Sequence, residues 1–427
     1  MGSRLTQIDE QGRRRFMKAA AGSLLGVSFL PEWIRADDRR QPSGKKGARN
    51  LIYLYMDGGM SHVDSWDPKQ GDVAGPTRTI QTDAEGIRLG EYLPRVARIM
   101  RHGTIVRSLT STQGAHEQGN YFMHTSYQMR GTINHPSLGA WLSHFQGPGN
   151  PALPASVYVG NASRHPGAGF FPPEHAPLFV NNPENGLRDI RRAEGLTEAK
   201  HAGRLSLASG IDADFVKAFG GQRNVLAHAS AYDGAARMMA SKDTAAFNLA
   251  EEKDAARDTY GRDPFGQGCL LARRLVERGV RFVEVSLHGW DTHSNNFSAT
   301  PDLCDKLDRG LAALVADLRD RGMLGETLVV VATEFGRSPK INTALGGDHY
   351  PDAFSAALFG GGVRGGHVHG ETDKRGETVT RDETSVQDFN ASLGHALGLP
   401  LDRVVHSPEK RPFKLADKGQ PLKALFS

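Results

Sequence analysis

A chain of 427 residues, 38% hydrophobic and 23% charged, is globular in composition and can bury a large core, which suits one big α/β domain with insertions or two domains. Its formal net charge of +4 sits at one end: residues 1–48 hold ten Lys and Arg against five Asp and Glu, leaving 42 against 43 beyond them, so the body gives no reason to expect a nucleic-acid partner. The two cysteines, Cys269 and Cys304, have no Cys-x-x-Cys spacing, which argues against a disulfide framework or thiolate zinc site and favours two unpaired core thiols over a single bridge.

In chain order, Gly12-Arg13-Arg14-Arg15-Phe16-Met17-Lys18 precedes a mild apolar run from Ala19 to Leu30. Twelve residues are too few to span a bilayer, which takes about 20 helical residues. Arg-Arg-x-Phe-Met-Lys before a weakly hydrophobic segment resembles the twin-arginine export signal, with Ala36 a plausible end of the removed peptide. Residues 1–36 are therefore expected as a signal read by the twin-arginine export machinery, 37–49 as a flexible tether and 50–427 as the folded domain. The expected destination is the periplasm or the cell exterior, with no membrane span. An amphipathic N-terminal helix on a cytosolic protein is the competing reading.

Leu51–Met56 reads as a buried strand ending in Asp57-Gly58-Gly59, with His62, Asp64 and Asp67 close behind. A helix is expected over Leu93–Met100, a strand over Thr104–Leu109, then Ser111, Thr112 and His116 before an aromatic helix near Asn120–Met129. A short helix over Ser137–Leu142 and a strand over Ser156–Val159 follow. Between about 166 and 262 the long β-branched runs disappear, and helical segments at Ile211–Phe219 and Ala235–Leu249 suggest a helical insertion or cap. Regular alternation returns with a helix at Gln267–Arg278, a strand at Val280–Leu287, a crossover helix at Leu303–Arg319 and the strand Thr327–Ala332. A strand at Ser355–Phe359 and a closing helix at Thr384–Leu399 complete the pattern, which implies a mostly parallel central sheet with helices on both faces.

Three of these strands end in carboxylates: Asp57, then Asp291 with His293, then Glu334, with Arg337, Asn342, Asp348 and His349 beyond. The carboxyl ends of strands are where open α/β sheets place ligands. Carboxylate oxygen and imidazole nitrogen gathered at one sheet edge call for a divalent cation, zinc first, with calcium, magnesium or manganese as alternatives. Each motif alone is weak, since an Asp-x-His pair in a loop is more often a hydrogen-bonded surface pair.

In that order, Asp57, Asp291-x-His293, Thr333-Glu334-Phe335-Gly336 and Gly347-Asp348-His349 resemble the alkaline phosphatase and sulfatase superfamily, and Val386–Leu399 resembles the closing helix of sulfatases. Gly58-Gly59-x-Ser61-His62-x-Asp64-x-x-Asp67-Pro68-Lys69, with Glu334-Phe335-Gly336-Arg337 and Gly347-Asp348-His349, is similar more closely to an exported family of that superfamily, the domain-of-unknown-function family numbered fifteen-oh-one. The resemblance implies an alkaline-phosphatase-like α/β fold. It makes Asp57 and Glu334 candidates for one metal position and Asp291, His293 and His349 for another, with His62, Asp64 and Asp348 as further ligand candidates. It departs from the superfamily twice: Glu334-Phe335 stands where Asp-His is usual, and His116 stands where a sulfatase has its modified cysteine, so a cysteine-derived nucleophile is excluded.

The function expected is an exported metal-dependent hydrolase of phosphate or sulfate esters, on a small-molecule or polysaccharide substrate. His116 is expected as ligand, base or nucleophile, Ser111 and Thr112 as reserve nucleophiles, and Arg337 and Asn342 as anion contacts. A catalytically silent metal-bearing binding protein of the envelope is the alternative. A structural protein without metal is the third reading.

Overall fold

The structure is a computed structural model that describes residues 47–69, 75–161, 163–187 and 234–427, with isolated positions at 197, 200, 203, 204 and 207. The expected export signal, most of the tether and the helix expected over Ile211–Phe219 lie outside the described residues.

Nine strands form the main sheet: β1 (Asn50–Asp57), β2 (Gly103–Thr110), β3 (Ser156–Val159), β4 (Leu178–Val180), β5 (Phe282–His288), β6 (Thr327–Ala332), β7 (Phe354–Gly360), β8 (His367–His369) and β9 (Thr384–Ser385). Their spatial order is β8-β2-β7-β6-β1-β5-β3-β4, with β9 also on β2. Only β7 runs antiparallel to its neighbours β2 and β6; the other pairings are parallel. The stretch expected as an insertion contributes β4 to the sheet edge.

Two cores cover the two faces. Side chains alternate along a strand, so Ile52, Leu54 and Met56 of β1 enter one core and Leu51, Tyr53 and Tyr55 the other. The first is closed by α4 (Pro264–Glu277) and α5 (Asn296–Asp320), after α3 (Asp254–Tyr260); the second by α2 (Leu138–Gln146) and α6 (Val386–Ala396). Each fully buried Leu, Val or Phe contributes about 1.5–3 kcal/mol, so apolar burial rather than ion pairing holds these layers. Cys269 and Cys304 are buried and unbridged in the first core. Among the described residues no helix is long and apolar enough to cross a membrane.

Three expected helices differ. Leu93–Met100 is two tight 3-10 turns, Val96–Arg98 and Met100–His102: Asp308 takes the Arg95 and Val96 N–H groups, and β2 already begins at Gly103. Within Ala235–Leu249, residues 234–240 are helical, and 3-10 turns follow where Ser241 and Asn248 side chains cap the backbone instead of letting the helix continue. The aromatic helix α1 starts earlier than expected, at His116, and stops at Thr125, because Ser126 adopts a left-handed φ of 66° and returns its N–H to Phe122. That shift places His116 in the first turn of α1 and His124 in its last.

Candidate metal centre

The central strands β6, β1 and β5 are neighbours, and their parallel register sets Asp57 opposite His288 and Tyr55 opposite Ala332. The loops after all three therefore open side by side at the carboxyl edge. Gly58 turns at φ +122° with the Asp291 backbone so close that a Cβ there would lie 2.4 Å from Asp291 N. Arg337, with a side chain only 1% exposed, staples these loops: it donates to the carbonyls of Gly58, Gly59 and Gly347 and, over 2.6 Å, to Asp291 Oδ1.

His116, Asp291, His293 and His349 converge here, each offering a ligand atom within 4.8 Å of the others. Their hydrogen-bond partners decide which nitrogen faces the centre. His116 Nδ1 lies 2.8 Å from Glu334 Oε1, and His349 Nδ1 lies 2.8 Å from the Gly114 carbonyl. Both partners can only accept, so Nδ1 carries the hydrogen in each ring and Nε2 presents a lone pair. His293 repeats the pattern more loosely, with Nδ1 3.4 Å from Asp348 Oδ1 and Nε2 2.9 Å from His349 Nε2. A ligating histidine held through its other nitrogen by a carboxylate or carbonyl is the arrangement that metal sites use to orient imidazoles.

A tetrahedral site with ligand bonds of ~2.0–2.1 Å has edges of ~3.3 Å between donor atoms. Asp291 Oδ1 stands 3.2 Å from His116 Nε2, 3.3 Å from His293 Nε2 and 3.6 Å from His349 Nε2, so the donor set fits a zinc-sized ion. Among the described residues His116 Nε2 is buried and has no hydrogen-bond partner, which leaves its lone pair for such an ion. The hydrogen bond to Glu334 raises the His116 pKa despite partial burial, while burial lowers that of His349. Burial alone would raise the Asp291 pKa, but Arg337 and His116 outweigh it and keep the carboxyl below its ordinary value. The cluster is closed on one side by Phe335, whose ring centroid lies 5.2 Å from His116 and 4.5 Å from His349. It is open on the other, where the Asp291 and His293 side chains are 51% and 48% exposed.

Several expected site residues have protein partners of their own. Glu334 is fully buried and does not face the centre as a ligand: its oxygens accept from His116, Gly58 N (2.9 Å), Tyr55 Oη (3.1 Å) and Thr333 Oγ1 (3.2 Å). Asp348 is 70% exposed and stands behind His293. Asn342 braces the loop, donating to the His293 carbonyl over 3.0 Å and accepting from Ala344 and Gly346 N–H, and Arg337 is spent on the staple, so neither is a free anion contact. His62 donates to the Gly376 carbonyl, and Asp64 accepts from Ser61, Thr77 and Asn296; both are buried and neither belongs to the four-residue cluster. Ser111 Oγ and Thr112 Oγ1 cap Gln113 in the loop before α1. Asp57 lies beside the cluster, its Oδ2 2.6 Å from His288 Nδ1 and its Oδ1 3.9 Å from Arg164 Nη1. Burial would raise its pKa, but the His288 hydrogen bond and the neighbouring positive charges lower it.

Sequence reasoning gave no role to Arg164, Tyr55 or His288, which border the site. Only His288 carried a signal, as the last residue of a strand whose next loop holds Asp291.

Comparison with curated proteins gives no match. Solved structures similar to the chain include the lipoteichoic acid synthase LtaP from Listeria monocytogenes, at 10% identity over 90% of this chain and 79% of that one, with a TM-score of 0.42. The PsFucS1 sulfatase from Pseudoalteromonas sp. is 14% identical over 96% of this chain and 79% of that one, TM-score 0.40. A protein in the alkaline phosphatase superfamily from Vibrio parahaemolyticus is 9% identical over 96% and 78%, TM-score 0.41. A family profile spans residues 48–426, all of the sheet and every residue of the cluster, and by that match the chain belongs to the family described as Protein of unknown function (DUF1501).

Proposed function

We propose that this chain is an exported, metal-dependent hydrolase of the alkaline phosphatase and sulfatase type, acting on a phosphate or sulfate ester. The observation that carries the reading is the convergence of three imidazole Nε2 atoms and Asp291 Oδ1, with two of the rings turned by a hydrogen bond and the third set beside a carboxylate. His116, His293, His349 and Asp291 would hold the ion, zinc being the best match to the nitrogen-rich set. When bound, such an ion supplies Lewis acidity toward an ester oxygen and an acidified water. Arg164, 46% exposed at the rim beside Asp57, offers a guanidinium to the anionic group of the ester. Glu334 fixes the His116 ring, Arg337 fixes Asp291, and Phe335 keeps water from the closed side. With His116 placed as a ligand, hydrolysis by water replaces attack by a side chain in this reading. The twin-arginine pair Arg13-Arg14 supports export, hence a periplasmic or extracellular setting.

One observation favours the silent, metal-bearing alternative: four protein donors already complete a tetrahedral set, as in structural zinc sites. Zinc content of protein purified without a His-tag, followed by assays on aryl phosphate and sulfate mono- and diesters, tests both. Stoichiometric zinc with turnover that is lost in His293→Ala supports the hydrolase. Zinc without turnover on any of the esters leaves the silent reading, and absence of zinc or any other divalent ion rejects both.

A further inference from the structure

A second group of ionisable side chains, His124, His165 and Glu284, lies buried behind the metal centre, with ligand-type atoms again within 4.8 Å of one another. Here the hydrogen bonds call for a proton rather than a metal. His124 Nδ1 sits 2.8 Å from the Asn120 carbonyl, which can only accept, so Nδ1 carries a hydrogen. His124 Nε2 then faces Glu284 Oε1 at 2.8 Å, and a lone pair cannot face a carboxylate oxygen at that distance without a cation between them. His165 Nδ1 accepts from Gly167 N–H over 3.0 Å, so its hydrogen is on Nε2, 3.4 Å from Glu284 Oε2. A metal on His165 Nε2 would require breaking that backbone contact. The consistent assignment is an imidazolium at His124, a carboxylate at Glu284 and a neutral His165.

The pair ties together the elements that build the centre. His124 lies in the last turn of α1, whose first turn carries His116. Glu284 lies in β5, whose following loop delivers Asp291 and His293. The Tyr55 ring packs 4.6 Å from the His124 ring, and Tyr55 Oη donates to Glu334 Oε2 over 3.1 Å, the same carboxylate that orients His116. Two physical paths thus run from His124 to His116, one along the helix and one through Tyr55 and Glu334.

We infer that the buried His124–Glu284 ion pair is a positioning device for the proposed metal centre, clamping the helix of His116 to the strand that leads to Asp291 and His293. This rests on the metal reading above. The groups facing His124 are Tyr53 and Tyr55 of β1, His165 of the loop after β3 and Glu284 of β5, with Asp57 acting on it through its charge. Burial works against the proton on His124, but the Glu284 charge and hydrogen bond outweigh it and hold its pKa above the ordinary imidazole value, while burial keeps that of His165 below.

The test compares His124→Gln, Glu284→Gln and the double variant, after melting curves show that each is folded. Zinc affinity is read by chelator competition across pH. His124→Gln leaves the Glu284 charge buried without its partner, and Glu284→Gln removes the group that holds the proton on His124, so each single variant loses the ion pair and should bind zinc about tenfold more weakly. The double variant restores a neutral, similarly shaped pair and should return to within about threefold of the parent. The parent should lose zinc affinity at alkaline pH as His124 gives up its proton, and the double variant should lack that decline. Parental affinity in the singles, or a double variant no better than they are, overturns the inference. So does loss of a second equivalent of zinc in the singles, which would make the trio itself a metal site. The His116 Nδ1–H resonance of metal-free protein keeps the inference testable if the parent binds no zinc. It should shift in the singles and return in the double, whatever becomes of the metal reading.

Discussion

His116 and Glu334 are joined by a 2.8 Å contact between Nδ1 and Oε1, and that contact turns His116 Nε2, buried and without a hydrogen-bond partner among the described residues, toward Asp291 Oδ1. In the proposed metal reading, a residue that resemblance suggested as a ligand prepares another residue to be one. Replacing Glu334 by Gln keeps the shape and removes the charge that favours Nδ1–H. Zinc affinity measured by chelator competition should fall about 10–100-fold with the fold intact. Unchanged affinity would show that Glu334 does not orient His116.

Acid should release the metal earlier than an unperturbed histidine site would. Each imidazole must present an unprotonated Nε2 to ligate, so protons compete with the metal. Hydrogen bonding to Glu334 raises the His116 pKa, and a raised pKa means the competing proton is held to higher pH. Zinc affinity should therefore fall as pH drops through a window that opens above the ordinary imidazole value of about 6.5. Glu334→Gln should shift that window to lower pH. A parental midpoint below that value would contradict the assignment.

The fold was largely legible, because β1 and β6 hold continuous apolar runs, as a strand buried on both faces needs, and β5 is an apolar strand interrupted only by Glu284 and Ser286 before it ends at His288. Convergence of Asp291, His293 and His349 followed from that reading. Roles were not legible, since they depend on which atom of a side chain faces which neighbour. Glu334 and His116 are 218 positions apart, and nothing local tells that the two side chains meet. His62 and Asp64 are close in sequence to Asp57, but both are buried and neither joins the cluster of His116, Asp291, His293 and His349. Arg337 looked like an anion contact because two of the three carbonyls that accept from it, those of Gly58 and Gly59, are 279 and 278 positions away in sequence. Glu284 was hidden inside a strand pattern, its partner His124 160 positions away.

Export is predicted to depend on Arg13 and Arg14. A twin cation before a weak apolar run suits a route that carries folded protein, and Lys at both positions keeps the charge while removing the guanidinium pair. Fractionation of cells expressing the Arg13→Lys, Arg14→Lys double variant should find the protein retained in the cytoplasm. Undiminished export would reject the twin-arginine assignment.

Gly58→Ala should damage the metal centre through the backbone alone. At φ +122° a residue with a Cβ is strained, at a cost of about 1–3 kcal/mol. The new methyl would also lie 2.4 Å from Asp291 N and 2.8 Å from the Trp290 carbonyl carbon, both backbone atoms that cannot rotate away. Relief requires the β1 and β5 loops to separate. That separation moves Asp291 from His116, 3.2 Å away, and pulls Gly58 N from its 2.9 Å bond to Glu334. A change where space is open, Gly86→Ala, also falls at a positive φ, of +77°, but with no atom of the described residues within 4 Å of the new methyl, so it carries backbone strain without the collision. Zinc affinity should drop by at least tenfold in Gly58→Ala and stay parental in Gly86→Ala, although both variants lose melting temperature. Equal zinc affinity in the two would mean that the contact between these loops does not set the position of Asp291.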